Sequence, residues 1–560
     1  MKMKKTVALL TGAVLATSLL GGCGARSTVE LDSNKTTLTV GNFNGGVGTE
    51  WLEAAIEKFE EKYADTSFEE GKKGVQVIIG SNNKTSMEGE TLKDVVLADD
   101  TKDEVFFTEG VFYNWWAKNG KMLDITEYIN EPLTEFGEDK SIAEKMDEDH
   151  LNALTIDDKI YALPFWENSY CMVYNATLFD EEGWYIAEDG SFTNASGKLG
   201  AGPDGKSGTY DDGMPATYDQ FFALLDEIKK DNCTPFQFPG ASQDYFAWLI
   251  SELAADNMGY DQFMLNYNFS GTAELAKIDT INWDTMSYET EQVEINQKNA
   301  YELARQPGIV NAVGFAQRLL QDTSNYDVNK SLSGSFKITQ SQLEFVRNPT
   351  VSSQKNVAIM LDGNWWENEA SSAFKETYGT NATKYDADME YKVMPFPKAT
   401  TEDIGSENVM VSALDSYCFI KANIDPAKID VATKFLQFVH TDAQMEEFTQ
   451  ITSLTKPYDY DVNSEELTSF AQSMIEMRDA SHVALPMDSN SLYSYSPSDF
   501  RLVRFAHSKY APDKEDTDGI ASVLTSMESG KYIYSAQDYF NGIVSYRKDT
   551  QWKDYSKILE

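Results

Sequence analysis

The sequence predicts an α/β protein of more than one lobe, and three observations carry that prediction. Strand-like and helix-like hydrophobic periods alternate along the first part of the chain. Some of the strands are short continuous apolar runs, the pattern of a sheet covered by helices on both faces. At 560 residues the chain exceeds the usual span of one compact domain, so two or more lobes are expected.

The first strand is expected over Thr36 to Asn42, where apolar and polar positions alternate. Gly45-Gly46-Val47-Gly48 follows as a flexible turn, and Thr49 stands where a helix cap belongs. Trp51, Leu52, Ala55, Ile56, Phe59 and Tyr63 then recur at helical spacing. Val75 to Gly80 reads as a second strand, Leu92 to Leu97 as a helix, and Val105 to Phe107 as a short buried strand. A helix with Trp115, Trp116 and Ala117 comes next, with both tryptophans expected in the core. This βαβαβ rhythm argues for a parallel sheet. Such sheets bind ligands at the carboxyl ends of their strands, which puts Asn42 to Gly46 and Thr108 to Val111 at one rim.

Tyr161-Ala162-Leu163-Pro164 closes the first block, and Phe165 to Tyr174 is rich in aromatic residues. Lys198 to Gly213 is a Gly- and Asp-rich loop, and helical patterns resume at Tyr218 to Lys229 and Tyr245 to Leu253. Glu274 to Ile338 is polar and mixed and reads as helices with long loops. Further strands are expected at Val357 to Leu361, Tyr391 to Met394 and Tyr417 to Ile420, and a strong helix at Ile429 to Val439.

The N-terminus carries an address. Lys2, Lys4 and Lys5 precede an apolar run from Val7 to Leu20, shorter than a membrane span. Leu20-Gly21-Gly22-Cys23 resembles the bacterial lipobox. The resemblance implies that residues 1–22 are a signal peptide and that Cys23 receives a diacylglycerol as the mature N-terminus. An ordinary signal peptide with a chance cysteine, or an uncleaved anchor, are the other readings. Residues 23–35 would form the lipid anchor and polar tether of a protein on the outer side of the cytoplasmic membrane, at the bacterial cell surface.

The formal charge of −43 repels nucleic acid and anionic headgroups and disfavours a phosphorylated ligand, so a neutral ligand is the natural partner. Cys171, Cys233 and Cys418 are far apart, form no CxxC, and read as small buried hydrophobes. Gly200-Ala201-Gly202-Pro203-Asp204-Gly205 fits a dinucleotide glycine pattern by spelling alone, since no strand precedes it. The same loop offers hard oxygen ligands in Asp204, Thr209, Asp211 and Asp212, as calcium loops do; a solvated acidic turn is the competing reading. Calcium held there would be structural, and no cofactor is required. H-E-x-x-H and G-x-S-x-G are absent, and the four histidines are scattered.

Several segments together carry a resemblance. They are Leu38-Thr39-Val40 entering the Gly-rich turn, Asp103 to Gly120 closing on Leu123-Asp124-Ile125-Thr126, Ile160 to Asn175, Val357 to Trp365 through Asp362-Gly363-Asn364, and Ala432 to His440 with Thr441-Asp442. In this order the chain resembles the extracellular solute-binding proteins of carbohydrate ABC importers, the group of the maltose-binding protein. Apparent insertions at Trp184 to Gly213 and Glu274 to Ile338 lengthen it. The resemblance implies a two-lobed, type II periplasmic-binding-protein-like fold with the ligand cleft between lobes. Lobe one would take 36–164 plus 413–461, and lobe two 165–412 plus 462–560. It also implies a monomer, importer membrane subunits as partners, and signalling by hinge closure without catalysis.

A pyranose offers an apolar C–H face to an aromatic ring and a rim of hydroxyls to amides and carboxylates. By resemblance Trp365 and Tyr245 match stacking positions of the second lobe. Trp166 lies at the first crossover, with Glu167 and Asn168 beside it for hydroxyls, and Asn44, Thr108 and Glu109 fall at strand ends of lobe one. One of the neighbours Trp365 and Trp366 is expected to pack in the core. A surface glycoside hydrolase and a peptide-binding lipoprotein remain the alternatives to a neutral-oligosaccharide receptor.

Overall fold

The computed structural model describes residues 30–80, 101–111, 113–347, 356–412, 416–487, 505 and 519–553. Residues 1–22, Cys23 and the helix expected over Leu92 to Leu97 lie outside these.

The first sheet has five strands, and Thr36–Asn42 is its founding member. Its alternating residues are buried, and it pairs in parallel with Val75–Ile79 on one side and Val105–Thr108 on the other. Helix Glu50–Lys62 covers this sheet with Trp51, Leu52, Ala55 and Phe59. Thr49 is its N-cap residue but makes no side-chain cap bond; its backbone N–H instead donates to the Glu50 carboxylate at 3.0 Å. The sheet departs from the all-parallel expectation. Tyr417–Ile420 joins antiparallel to Val105–Thr108 and to Leu163–Pro164, because the chain re-enters this sheet from the other lobe in the reverse direction.

The second sheet has four strands in the order Tyr391–Met394, Tyr170–Asn175, Val357–Gly363 and Thr234–Gln237. It is mixed: Val357–Gly363 runs parallel to Thr234–Gln237 and antiparallel to Tyr170–Asn175. Tyr170–Asn175 and Val357–Gly363 are buried along their whole length, which explains their unbroken apolar character. Helix Asp244–Met258 packs against this sheet and against helix Pro307–Gln321. The insertion expected to be helices with loops contains an antiparallel pair, Gly271–Ala276 with Thr290–Ile295. Thr290–Ile295 buries only its last residue fully, so its polar face hid the strand period. The C-terminal helices Ile520–Leu524 and Ala536–Tyr546 pack on Pro307–Gln321.

The chain crosses between the sheets after Pro164 and again between Val411 and Tyr417. Val409–Val411 is braced by a parallel pairing with His482–Ala484. Two carboxylates one helical turn apart on Asp244–Met258 accept its backbone N–H groups. Glu252 takes that of Val411 at 2.9 Å, and Asp256 that of Val409 at 3.1 Å. Lys398 completes this anchor with a fully buried 3.0 Å ion pair to Asp256. Cys171, Cys233 and Cys418 are free and buried.

Candidate ligand-binding cleft

The rim of the first sheet is held by its own backbone. Phe43 N–H donates to the Phe107 carbonyl at 2.8 Å, and the Asn42 amide closes the following turn onto Gly48 O at 3.0 Å. The segments after the two neighbouring strands therefore share one edge. Asn44 is exposed in the turn, while Thr108 and Glu109 are buried at the end of the adjacent strand.

Trp365 meets this edge from the second lobe. Strand Val357–Gly363 ends two residues before it, and Trp365 is the N-cap residue of helix Trp366–Glu369. Its indole folds back over Gly363, where a Cβ would lie 2.3 Å from ring carbons. Gly46, with φ +71, approaches from the first lobe so closely that a Cβ there would sit 2.9 Å from the Trp365 Cβ. Both positions need glycine for this contact. The Asn368 amide donates to the Gly46 carbonyl at 2.9 Å, so the lobes touch across the cleft. Trp365 is only 5% exposed in this arrangement.

The indole is seated in a cluster of aromatic rings. It meets Tyr170 at 5.0 Å, Trp166 at 5.9 Å and Tyr245 at 6.2 Å between centroids, all edge-to-face. Tyr170 stacks on Trp248 at 5.6 Å. Trp366 turns the other way and is wholly buried against Phe345, Tyr391 and Phe470. Trp115 is half-buried and Trp116 buried. Two polar atoms in this neighbourhood, Trp166 Nε1 and Gln243 Oε1, are buried without a hydrogen-bond partner. Such groups are costly unless something satisfies them.

Behind Trp365 lies a polar network that composition alone did not reveal. The Gln342 amide donates to Asp362 at 3.2 Å and to Glu369 at 2.7 Å. Burial pushes the Asp362 carboxyl well above the ordinary range, the Glu369 charge pushes it further, and burial also raises Glu369. Two carboxyls facing one amide favour a shared proton over two negative charges. Tyr170 had a signal in the aromatic run Phe165 to Tyr174, whereas Gln342 and Glu369 had none.

Glu167 and Asn168, expected beside Trp166 as hydroxyl partners, have side chains engaged within the crossover instead. Arg478 Nε donates to Glu167 at 3.1 Å and Thr455 Oγ1 donates to it at 2.8 Å. The Asn168 amide donates to Ser416 Oγ at 2.8 Å. Asn364, next to Trp365, donates to the Glu167 carbonyl at 2.8 Å and exchanges backbone and side-chain bonds with Ser169. The aromatic platform and the crossover are thereby coupled.

The acidic loop meets most of its own hydrogen bonds, but Asp212 Oδ1 is buried without a partner. Asp211 accepts from the Asp204 N–H at 2.8 Å and Thr209 Oγ1 at 2.7 Å, and Asp212 accepts from the Gly208 N–H at 2.7 Å. Among the described residues no group of three or more His, Cys, Asp or Glu side chains gathers in a metal-holding arrangement.

Two α/β lobes joined by crossing strands, with an aromatic cluster at their junction, define a receptor architecture. Residues 54–477 match the bacterial extracellular solute-binding protein family, and the chain belongs to that family. Among solved structures it is similar to a chitin oligosaccharide binding protein, at 16% identity and TM-score 0.54, over 92% of this chain and 99% of that one. It is similar to RafE from Streptococcus pneumoniae in its apo form, at 16% identity and TM-score 0.53, over 93% and 99%. It is also similar to maltose-bound MalE3 of T. maritima, at 13% identity and TM-score 0.53, over 92% and 99%. A comparison with curated proteins returns no match. Among the described residues no helix is long and apolar enough to cross a membrane.

Proposed function

We propose that the protein captures a neutral oligosaccharide in the cleft at Trp365 and delivers it to the membrane subunits of an ABC importer by lobe closure, without turnover. The observation that carries this reading is the aromatic cluster of Trp365, Trp166, Tyr170 and Tyr245, seated where Gly46 of the other lobe closes on it. Flat aromatic faces beside polar atoms suit the C–H face and hydroxyl rim of a sugar. The oligosaccharides named for similar structures support the ligand class. The charge of −43 supports a neutral ligand and no nucleic-acid partner.

On this proposal the lobes divide as 36–164 plus 413–461 and 165–412 plus 462–560. Cys23 carries the lipid that holds a monomeric receptor at the outer face of the cytoplasmic membrane, and the stretch to Lys35 is its tether. No cofactor takes part. Incubation with neutral oligosaccharides followed by chromatography tests the absence of turnover. Recovery of intact sugar is expected, and shortened products would establish a hydrolase instead.

A further inference from the structure

We infer that His482 is a clasp between the two lobes, closed when its ring carries both protons. The ring lies between two carboxylates. Nε2 is 2.7 Å from Asp149 Oδ2, and Nδ1 is 3.1 Å from Glu407 Oε1. A neutral imidazole has one N–H and one lone pair, so it can satisfy only one of these oxygens. Only the imidazolium donates to both.

The two carboxylates belong to different lobes. Asp149 lies on helix Glu148–Leu154, whose N-cap residue Asp147 donates its backbone N–H to Pro457 O at 3.0 Å in the first-lobe region. Glu407 is fixed to the second lobe. Its carbonyl accepts from Lys398 at 3.0 Å, and its Oε2 accepts from the Tyr260 N–H at 2.9 Å. Tyr260 also lies flat on the imidazole, 3.6 Å between centroids and 6° from parallel. An aromatic face favours the cationic ring. His482 opens the strand that pairs with Val409–Val411, so the clasp sits on the crossover itself.

Its surroundings leave it able to titrate. The ring borders a cavity of about 840 Å³ also lined by Asp147, Asp204, Lys206, Arg478 and Asp479. Arg478 is committed to Glu167 and Asp147, which spares His482 most of its repulsion. His150, on the same cavity, is buried and held neutral, its pKa pushed down to about 4. Burial opposes charge on His482, but the bonds to Asp149 and Glu407 outweigh it and hold its pKa above the ordinary value. A raised pKa means that the contact is fully present below the ordinary histidine pKa and is lost as pH rises through the raised value.

In this structure the clasp coexists with the Gly46–Trp365 contact, so the protonated ring favours the closed arrangement. The inference rests on the two-lobed fold and not on the identity of the ligand.

Small-angle scattering of the ligand-free chain at about pH 5 and about pH 8 tests it, together with His482→Asn, Asp149→Asn and Glu407→Gln. The radius of gyration of the unaltered protein is expected to increase at the higher pH, and the variants are expected to lose that increase. An equal pH response in all four proteins would overturn the clasp. Histidine-selective NMR of the unaltered protein decides independently of how the variants fold. A ring that titrates above the usual histidine value is expected, and a His482 ring neutral at about pH 6.5 would also overturn it.

Discussion

Gly46→Ala isolates the closing step from the integrity of either lobe. Gly46 has φ +71, and an added Cβ would sit 2.9 Å from Trp365 Cβ and Cγ. Unstrained carbon contacts lie near 3.5–4.0 Å, so the methyl overlaps the second lobe only when the lobes are together. Relieving such an overlap within packed surroundings costs about 1–3 kcal/mol. If the liganded form keeps this contact, the dissociation constant rises roughly 5- to 150-fold, at about 1.4 kcal/mol per decade. The left-handed backbone conformation adds a separate cost of about 1–2 kcal/mol. That cost is the same with lobes apart or together, so it appears in Tm and not in affinity. Titration calorimetry with an oligosaccharide that raises Tm, together with a melt of the ligand-free variant, separates the two effects. Unchanged affinity with a lowered Tm would refute closure through the Gly46–Trp365 contact.

Further outcomes follow from the same geometry. Trp365→Ala is expected to weaken sugar binding by about 1–3 kcal/mol, and unchanged calorimetric affinity in a folded variant would remove Trp365 from the site. Glu167→Ala removes the most buried of Arg478's partners but leaves Asp147 and Asp479, and should lower stability by about 1–3 kcal/mol in denaturant melts; no measurable loss would show that the pair does not hold the crossover. His150 and His440 are buried and neutral, with pKa values pushed by burial to about 4 and about 3, so the unfolded chain takes up their protons first as acid is added. Their contribution to stability should therefore fall as pH drops below about 6.5, opposed by the raised Asp362 and Glu369 carboxyls. The Tm gap between the unaltered protein and His440→Gln should narrow there, and a constant gap would contradict it. Calcium chelation should leave Tm unchanged, because Asp204 and both oxygens of Asp211 already accept hydrogen bonds within their loop and, of its buried oxygens, only Asp212 Oδ1 is left unpartnered; a drop of several degrees would assign the loop a cation.

Local pattern revealed elements more readily than their partners. Thr36–Asn42 was legible because one of its faces is buried and its side chains alternate. Tyr417–Ile420 was legible as a strand, yet its place in the first sheet depends on pairing with Val105–Thr108, which no local period encodes. Thr290–Ile295 escaped because its side chains are mostly exposed and polar. At the cleft, Trp365 was singled out only through the family resemblance carried by Val357 to Trp365. Gln342 was not, since it becomes significant only when folding brings it to Asp362 and Glu369. Glu167 shows the converse. Its type and its place beside Trp166 suited a sugar, but Arg478, 311 residues away, engages the carboxylate.

A thermal-shift panel of neutral oligosaccharides, with peptides as controls, tests the central claim most directly. A ligand bound only by the native state raises apparent stability in proportion to its occupancy. The account predicts that one class of oligosaccharide raises Tm in a concentration-dependent way while peptides do not. A rise with peptides and none with any sugar would contradict it.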